Sequence, residues 1–149
     1  MKLMKKILLI LSSVILIFSI DGFSQTEKHT GTLTFKVTGF EDNTGQAILL
    51  LYRIEDDVPK KPFMRMNAEI VNKEAVIQVK DFPYGDYAAI IVHDKNKNGI
   101  IDHKWGIPAE PLGYTNNWKL SLFSGMPNFE KLKFHYSESG NMILVRMNE

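Results

Sequence analysis

The sequence contains no cysteine. Disulfide bonds, thiolate-ligated metals and cysteine nucleophiles are therefore excluded, and stability must come from packing, assembly or a bound ion. A Gly-x-Ser-x-Gly nucleophile motif is also absent. The charges are nearly balanced, with 18 basic and 17 acidic residues and no basic run. Phosphate neutralisation requires clustered lysine and arginine, so we expect no nucleic-acid partner.

The amino terminus has the composition of a signal peptide. Lys2, Lys5 and Lys6 precede the apolar stretch ILLILSSVILIFSI, which occupies residues 7–20. A membrane-spanning helix needs about 20 apolar residues, so this stretch is short for an anchor, although an uncleaved amino-terminal anchor is the alternative. Gly22 and Ser24 suit the small-residue positions of a cleavage site, and no cysteine follows as a lipid acceptor. We predict a signal peptide over residues 1–24.

The predicted mature chain, residues 25–149, has the length of a single domain, since domains cluster at about 100–150 residues. Removal of residues 1–24 leaves 15 basic and 16 acidic residues. The net charge of the mature chain therefore indicates no particular class of partner. We expect this domain to be exported to the periplasm, the cell surface or the medium. We expect no transmembrane segment in the mature chain.

Hydrophobic periodicity predicts strands throughout the mature chain. Residues 31–40, GTLTFKVTGF, alternate apolar and polar side chains, which is typical of a half-buried strand. The continuous apolar run QAILLLYR, residues 46–53, is too short for an ordinary helix and predicts a buried strand. In YAAIIVHD, residues 87–94, both faces are apolar, which predicts a central strand. Short strands separated by turn residues every 8–12 residues or so predict an all-β, antiparallel β-sandwich of about seven strands.

Turn residues between these runs predict three hairpins. FEDNTG would join the first two strands, and Asn72 and Lys73 would join two alternating runs within residues 68–82. A Ser-Gly turn at residues 139–140 would join the last two strands. Residues 54–67 contain two prolines and several charges and are predicted to be a surface connection. Tyr87 follows Gly85 at a strand start and resembles a tyrosine corner, in which the hydroxyl bonds back to the backbone.

The stretch HDKNKNGIID, residues 93–102, has the oxygen spacing of a calcium-binding loop. Loops of the EF-hand type use positions 1, 3, 5, 7 and 9, with glycine at position 6. The residues at the five ligand positions are Asp94, Asn96, Asn98, Ile100 (through its carbonyl) and Asp102, with Gly99 at position 6. Position 12 is Trp105 and cannot supply the usual carboxylate, whereas Glu110 would do so if the chain folded back. We expect a dissociation constant on the order of 10⁻⁴–10⁻³ M.

Two other interpretations of this stretch stay open. Asn and Asp side chains can cap their own backbone while Asn98-Gly99 supplies positive φ, which makes a strand connection without any ion. Alternatively, His93, Asp94, Asp102 and His103 would be transition-metal ligands or an acid/base pair in a small periplasmic or cell-surface enzyme.

The long segment 105–129 carries a second candidate site. Its aromatic residues are interleaved with asparagines, and aromatic platforms with amide partners are suited to carbohydrate or protein ligands. The five aromatic residues considered are Trp105, Tyr114, Trp118, Phe123 and Phe129. The alternative, which we favour, is that the segment packs these rings against the domain and covers the second face of the central strand.

The order of motifs from residue 81 onward resembles a bacterial family labelled domain of unknown function 2141. The resemblance rests on DFPYGDY, AAIIVHD, DKNKNGIID, GIPAEPLGYTNN and PNFEKLKF, and it extends over nearly the whole mature chain. It implies an exported immunoglobulin-like or prealbumin-like β-sandwich and brings no established activity. WKLSLFSGM after the asparagine pair departs from the Gly/Pro-rich stretch frequent in the family. Together these features predict an exported, non-catalytic binding or structural module with a calcium-stabilised loop.

Overall fold

The computed structural model of the protein describes residues 29–105, 107–121 and 123–148. The predicted signal peptide lies outside the described residues. The described residues belong to the all-β class, with about half of them in strands and almost no helix, as the sequence predicts. Its strands are β1 Thr30–Thr38, β2 Gln46–Tyr52, β3 Met64–Ala68, β4 Glu74–Pro83, β5 Gly85–Asp94, β6 His103–Lys104, β7 Ile107–Pro108, β8 Leu112–Tyr114, β9 Phe134–Tyr136 and β10 Met142–Asn148. A 3₁₀ turn covers Thr115–Asn117, and one short helix, α1, covers Phe129–Leu132.

Eight strands form one sheet in the order β3-β2-β5-β8-β10-β1-β4, with β9 paired to β5 outside this path. The edge strands β3 and β4 contact each other, so the sheet curves towards a barrel. The pair β1–β10 is parallel, with Val37 opposite Val145, whereas the other pairs in the sheet are antiparallel. The prediction of antiparallel pairing throughout is therefore wrong for this pair. Strands β6 and β7 form a separate two-stranded ribbon.

Strand β5 is central, as its two apolar faces predict. It lies between β2 and β8, and its residues from Tyr87 to Asp94 are all buried. Tyr87, Ala89 and Ile91 belong to the main core inside the curved sheet. Ala88, Ile90 and Val92 belong to a second core, which lies under the segment that follows β7. Removal of this apolar surface from water is the main force that fixes β5 in place, at about 25 cal/mol per Å².

The predicted hairpins are largely wrong. Strand β1 pairs with β4 and β10 rather than with β2, and β2 pairs with β3 and β5. Strand β9 pairs with β5, so it forms no hairpin with β10. Asn72 and Lys73 do form a turn, with φ of 52° and 61°, but only the single bridge Val71–Glu74 closes it. Strand β3 occupies part of the predicted surface connection.

The start of β5 has the geometry of a tyrosine corner. The hydroxyl of Tyr87 donates to the carbonyl oxygen of Pro83 at 3.0 Å, across the turn between β4 and β5. This confirms the role predicted for Tyr87. Among the described residues, no helix is long and apolar enough to cross a membrane.

Candidate calcium-binding loop

The carboxylate of Asp94 organises the loop that follows β5. Its Oδ2 accepts hydrogen bonds from Nε2 of Gln46 at 2.7 Å and from the N–H of Gly99 at 2.9 Å, and its Oδ1 accepts from the N–H of Asn98 at 3.2 Å. The side chain is fully buried. Burial by itself would raise the pKa of Asp94, but these hydrogen bonds outweigh it and hold the pKa below its usual value. Asp94 is therefore an anion at neutral pH.

The two asparagines cap the loop backbone in succession. Oδ1 of Asn96 accepts from the N–H of Asn98 at 2.9 Å, and Oδ1 of Asn98 accepts from the N–H of Ile100 at 2.7 Å. Gly99 has φ of 73°, as predicted, and Lys97 also adopts a left-handed conformation with φ of 57°. The guanidinium of Arg65 on β3 donates to the Gly99 carbonyl and ties the loop to the sheet.

Asp102 closes the cluster. Its Oδ2 accepts from the side-chain amide nitrogens of Asn96 at 2.7 Å and Asn98 at 3.1 Å. The side chains predicted from spacing therefore converge at one place, and the loop closes through their mutual hydrogen bonds. This arrangement is compatible both with a strand connection stabilised by its own side chains and with an ion-binding loop whose amides can rotate their oxygens inward. The contribution of the Ile100 carbonyl stays a prediction.

Glu110 lies against this loop because the β6–β7 ribbon turns the chain back. The N–H of Ala109 donates to the carbonyl oxygen of Asp102 at 2.7 Å, and the N–H of Asp102 donates to Oε2 of Glu110 at 3.4 Å. Glu110 is only 8% exposed, and its Oε1 is buried without a hydrogen-bond partner among the described residues. Burial raises the pKa of Glu110, and the negative charges of Asp94 and Asp102 raise it further, against the lowering effect of nearby backbone N–H groups.

Trp105, at position 12 of the loop, is 92% exposed, and its indole ring offers no oxygen ligand to an ion. The chain does fold back towards Asp102, as the prediction for Glu110 requires. Within the described part of the chain, no group of three or more His, Asp or Glu side chains is arranged to hold a metal ion. An ion at this loop would therefore depend on amide and carbonyl oxygens in addition to carboxylates, and such a shell suits a hard cation.

The two histidines near the loop have different surroundings. His93 is fully buried, its Nε2 donates to the carbonyl oxygen of Thr44 at 2.8 Å, and its ring packs edge-on against Phe40 at 5.1 Å. His103 is exposed on β6. A substrate in solution could therefore reach His103 but not His93, which acts as a packed strand-end residue.

The segment 105–129 packs some of its aromatic rings and exposes others. Tyr114 and Phe129 are buried, and Trp118 packs edge-on against Tyr114 at 4.7 Å. Trp105 and Phe123 are more than nine-tenths exposed. The prediction that the segment packs its aromatic rings over the second face of β5 is thus right for three of the five rings, those of Tyr114, Trp118 and Phe129.

Sequence reasoning missed the residues that fasten this segment to the sheet. The hydroxyl of Thr115 donates to the carbonyl oxygen of Leu132 at 2.6 Å and accepts from the N–H of Ala89 at 3.0 Å. Gln46, which binds Asp94 from 48 positions away, was also missed. A lone threonine or glutamine carries no local signal of such a contact.

A bacterial protein family described as "Uncharacterized protein conserved in bacteria (DUF2141)" matches residues 35–143. The chain belongs to the DUF2141 family. This confirms the resemblance seen in the sequence motifs, and the matched DUF2141 range includes both the Asp94–Asp102 loop and Glu110. No curated protein and no solved structure is significantly similar to this DUF2141 chain. Its function must therefore be argued from its own residues.

Gly99→Ala should destabilise the protein by about 1 kcal/mol, because the left-handed conformation at this position disfavours a β-carbon. Nothing lies within 4 Å of the place where that β-carbon would stand, so conformation alone sets the cost. Urea denaturation monitored by circular dichroism measures this change. Lys97→Gly in the same loop is the control, and it should change the free energy of unfolding very little. Glycine relieves the unfavourable φ in the folded state, but it also increases the conformational entropy of the unfolded chain. An unchanged or higher stability of Gly99→Ala would contradict the turn assignment.

Proposed function

We propose that the protein is an exported, non-catalytic binding or structural module whose 94–102 loop is stabilised by a calcium ion. Asp94, Asn96, Asn98 and Asp102 would provide side-chain oxygens, and Ile100 its carbonyl oxygen. Asp94 and Asp102 provide two formal negative charges. An ion at this place would tie the end of β5 to the ribbon β6–β7, and would do so without a disulfide bond.

The observation that supports this proposal is the position of Glu110. Its carboxylate is removed from water, lies in the field of the negative charges of Asp94 and Asp102, and has one oxygen without a hydrogen-bond partner in the part of the chain that the structure describes. A buried carboxylate with an unsatisfied oxygen destabilises a fold unless it is protonated or meets a cation. The three carboxylates of Asp94, Asp102 and Glu110 are not arranged as a metal site in the described residues. An ion that drew Glu110 towards the loop would fill the ligand position that Trp105 cannot supply and bring the formal charge of the shell to three negative charges.

Calcium fits this shell better than magnesium. Calcium accepts six to eight oxygens at about 2.3–2.6 Å in flexible geometry, whereas magnesium requires a near-ideal octahedron and gives up its water reluctantly. The proposed shell mixes carboxylates, amides and a backbone carbonyl on a turning loop, which matches the flexible case. The ligands contain no sulfur or imidazole, so zinc and copper are poorly suited.

Calcium should raise the melting temperature of the mature protein. With a dissociation constant near 10⁻⁴ M, about 1 mM calcium adds roughly 1.4 kcal/mol by mass action, which corresponds to a few degrees in a domain of this size. Differential scanning calorimetry after treatment with chelator measures the shift, and magnesium at the same concentration should give less.

Glu110→Gln should remove most of this calcium-dependent shift, because it deletes one charge and leaves the shape unchanged. Glu130→Gln is the matched control: Glu130 is exposed on α1 and pairs with Lys133 at 3.0 Å, so its replacement should leave the shift intact. If neither calcium nor chelator changes the melting temperature of the wild type, the loop is a strand connection held by its own side chains and the calcium site is wrong.

The immunoglobulin-like or prealbumin-like sandwich and the export of the chain are also part of this proposal. The tyrosine corner at Tyr87 supports a sandwich of this type. The alternative of a small enzyme with an Asp/His cluster at residues 93–103 has less support, because His93 has no exposed surface. Measurement of the intact mass of the protein recovered from its host would test export through cleavage before Gln25.

A further inference from the structure

A cavity of about 680 Å³ lies on the outer face of the sheet, beside the Asp94–Asp102 loop. Its floor is formed by apolar side chains of three neighbouring strands, Leu50, Ile90 and Leu112. Ile101, just outside the proposed ion shell, forms one wall. Ligand pockets in proteins have volumes of about 300–1,000 Å³ and are mostly apolar with a few polar groups, so this cavity has the size and the character of a binding site.

Hydrogen bonds hold the walls of the cavity in place. The hydroxyl of Tyr52 donates to the carbonyl oxygen of Pro59 at 2.7 Å and fastens the connection between β2 and β3 against the sheet. On the other side, Nζ of Lys131 donates to the carbonyl oxygens of Ser124 and Met126 at 2.7 and 2.8 Å. Because both walls are tied to structured elements, the cavity is a built feature of the fold.

The rim of the cavity is apolar and exposed. Ile107, Leu120 and Met126 line the cavity and also belong to the exposed large hydrophobic residues of the described chain. Contiguous apolar surface around a concavity is uncommon in a soluble domain and marks a place where an apolar ligand or partner binds. The rings that pack in the segment 105–129 therefore cover only part of the outer face of β5.

A cationic side chain, that of Lys60, lines the cavity. Its lining includes Lys60 and His103 and, within the described residues, no aspartate or glutamate. Lys60 is 74% exposed at its side chain and makes only a loose ion pair with Asp57 at 3.6 Å, so its ammonium group can turn to a ligand at the mouth. A ligand with an apolar body and an anionic end would satisfy both the lining and the rim.

We propose that this cavity binds the acyl chain of a single-chain fatty acid, with the carboxylate near Lys60 at the mouth. An acyl chain is flexible and apolar, which suits an apolar cavity over a sheet, and its carboxylate needs no deep polar partner. A carbohydrate would bring hydroxyl groups into a lining that offers few hydrogen-bond partners, so the cavity itself does not suit a sugar. This inference goes beyond the calcium-stabilised module and does not depend on calcium.

Isothermal titration of the mature protein with decanoate, dodecanoate and tetradecanoate, each below its micellar concentration, tests the ligand class. Each additional methylene group buried in the cavity should lower the dissociation constant about fourfold. The stoichiometry should be one fatty acid per chain. Equal or unsaturable heats across the series would overturn the proposal.

Leu120→Glu should weaken dodecanoate binding at least tenfold, because it places a negative charge in the apolar rim beside the ligand. Leu144→Glu is the matched control, since Leu144 is an exposed leucine on β10 outside the cavity, and it should leave the affinity unchanged. Both variants should keep the circular dichroism spectrum and melting temperature of the wild type. Equal loss of binding in the two variants, or no loss in either, would contradict the assignment of the cavity.

Lys60→Met should weaken dodecanoate binding about threefold to fivefold while leaving dodecanol binding unchanged, because only the carboxylate meets the ammonium group. Co-sedimentation of the protein with phosphatidylglycerol vesicles tests the alternative, in which the apolar rim contacts a membrane surface. If the protein binds the vesicles but gives no saturable titration with monomeric dodecanoate, the exposed apolar rim contacts a membrane surface and the fatty-acid site is wrong.

Discussion

Gly45→Ala should destabilise the protein by about 3 kcal/mol, one of the largest effects expected of a single methyl group in this chain. Gly45 has φ of 79°, where a β-carbon is unfavourable. That β-carbon would also overlap the carbonyl oxygen of Asp94 and stand 2.6 Å from Cα of Lys95. These are backbone atoms at the end of β5, so relief requires movement of the strand rather than of a flexible side chain. Urea denaturation should show the loss, and the melting temperature should fall by about 10 °C.

Gly99→Ala is the matched control for this effect. Both glycines have a similar positive φ, but the space around Gly99 is open. The difference between the two variants, about 2 kcal/mol, therefore isolates the contact of Gly45 with the end of β5. Equal destabilisation would mean that β2 and the end of β5 do not approach as closely as the structure has them.

Asp94→Ala should destabilise the protein by about 3–4 kcal/mol even with chelator present. The change removes a charged acceptor and leaves Nε2 of Gln46 and the N–H groups of Asn98 and Gly99 without their buried partner. Each hydrogen bond to a charged group contributes about 1.5–3 kcal/mol, and buried donors left unpaired add a further cost, although these terms are not additive. Chemical denaturation in chelator separates this structural effect from any loss of calcium.

Asp102→Ala provides the comparison. Its carboxylate accepts from the flexible side chains of Asn96 and Asn98 in the exposed part of the loop. We expect a loss of about 1 kcal/mol in chelator, because water can replace these partners. In calcium, both variants should lose the stabilising shift. If Asp102→Ala is as damaging as Asp94→Ala in chelator, the central role of Asp94 in the loop is wrong.

The candidate loop was largely predictable because its contacts are local. Asp94, Asn96, Asn98 and Asp102 lie within nine positions, and the turn chemistry of Asn and Gly brings such neighbours together whether or not an ion binds. Glu110 was predictable only conditionally. Its position beside the loop depends on the β6–β7 ribbon. Each strand of this ribbon is only two residues long, which is too short to show a hydrophobic periodicity.

The cavity was not predictable from the pattern. Its floor and walls come from β2, β5, β8 and the connections after β2 and β8, which are distant in sequence. Apolar residues in the segment 105–129 could equally have filled that space. Whether a ring such as Phe123 packs or remains exposed depends on the path of the whole segment, which is set by long-range contacts such as those of Thr115.

The sequence by itself determined the all-β class, the positions of the main strands, the central place of β5 and the family, because alternation and turn residues act over a few neighbours. Only the tertiary structure decided which strands pair. β1 joins β4 and β10 rather than β2 because pairing is selected by burial of whole faces in a curved sheet, and backbone hydrogen bonds are the same for any partner. The same long-range selection placed Gln46 on Asp94, enclosed His93, and left an apolar cavity open beside the loop.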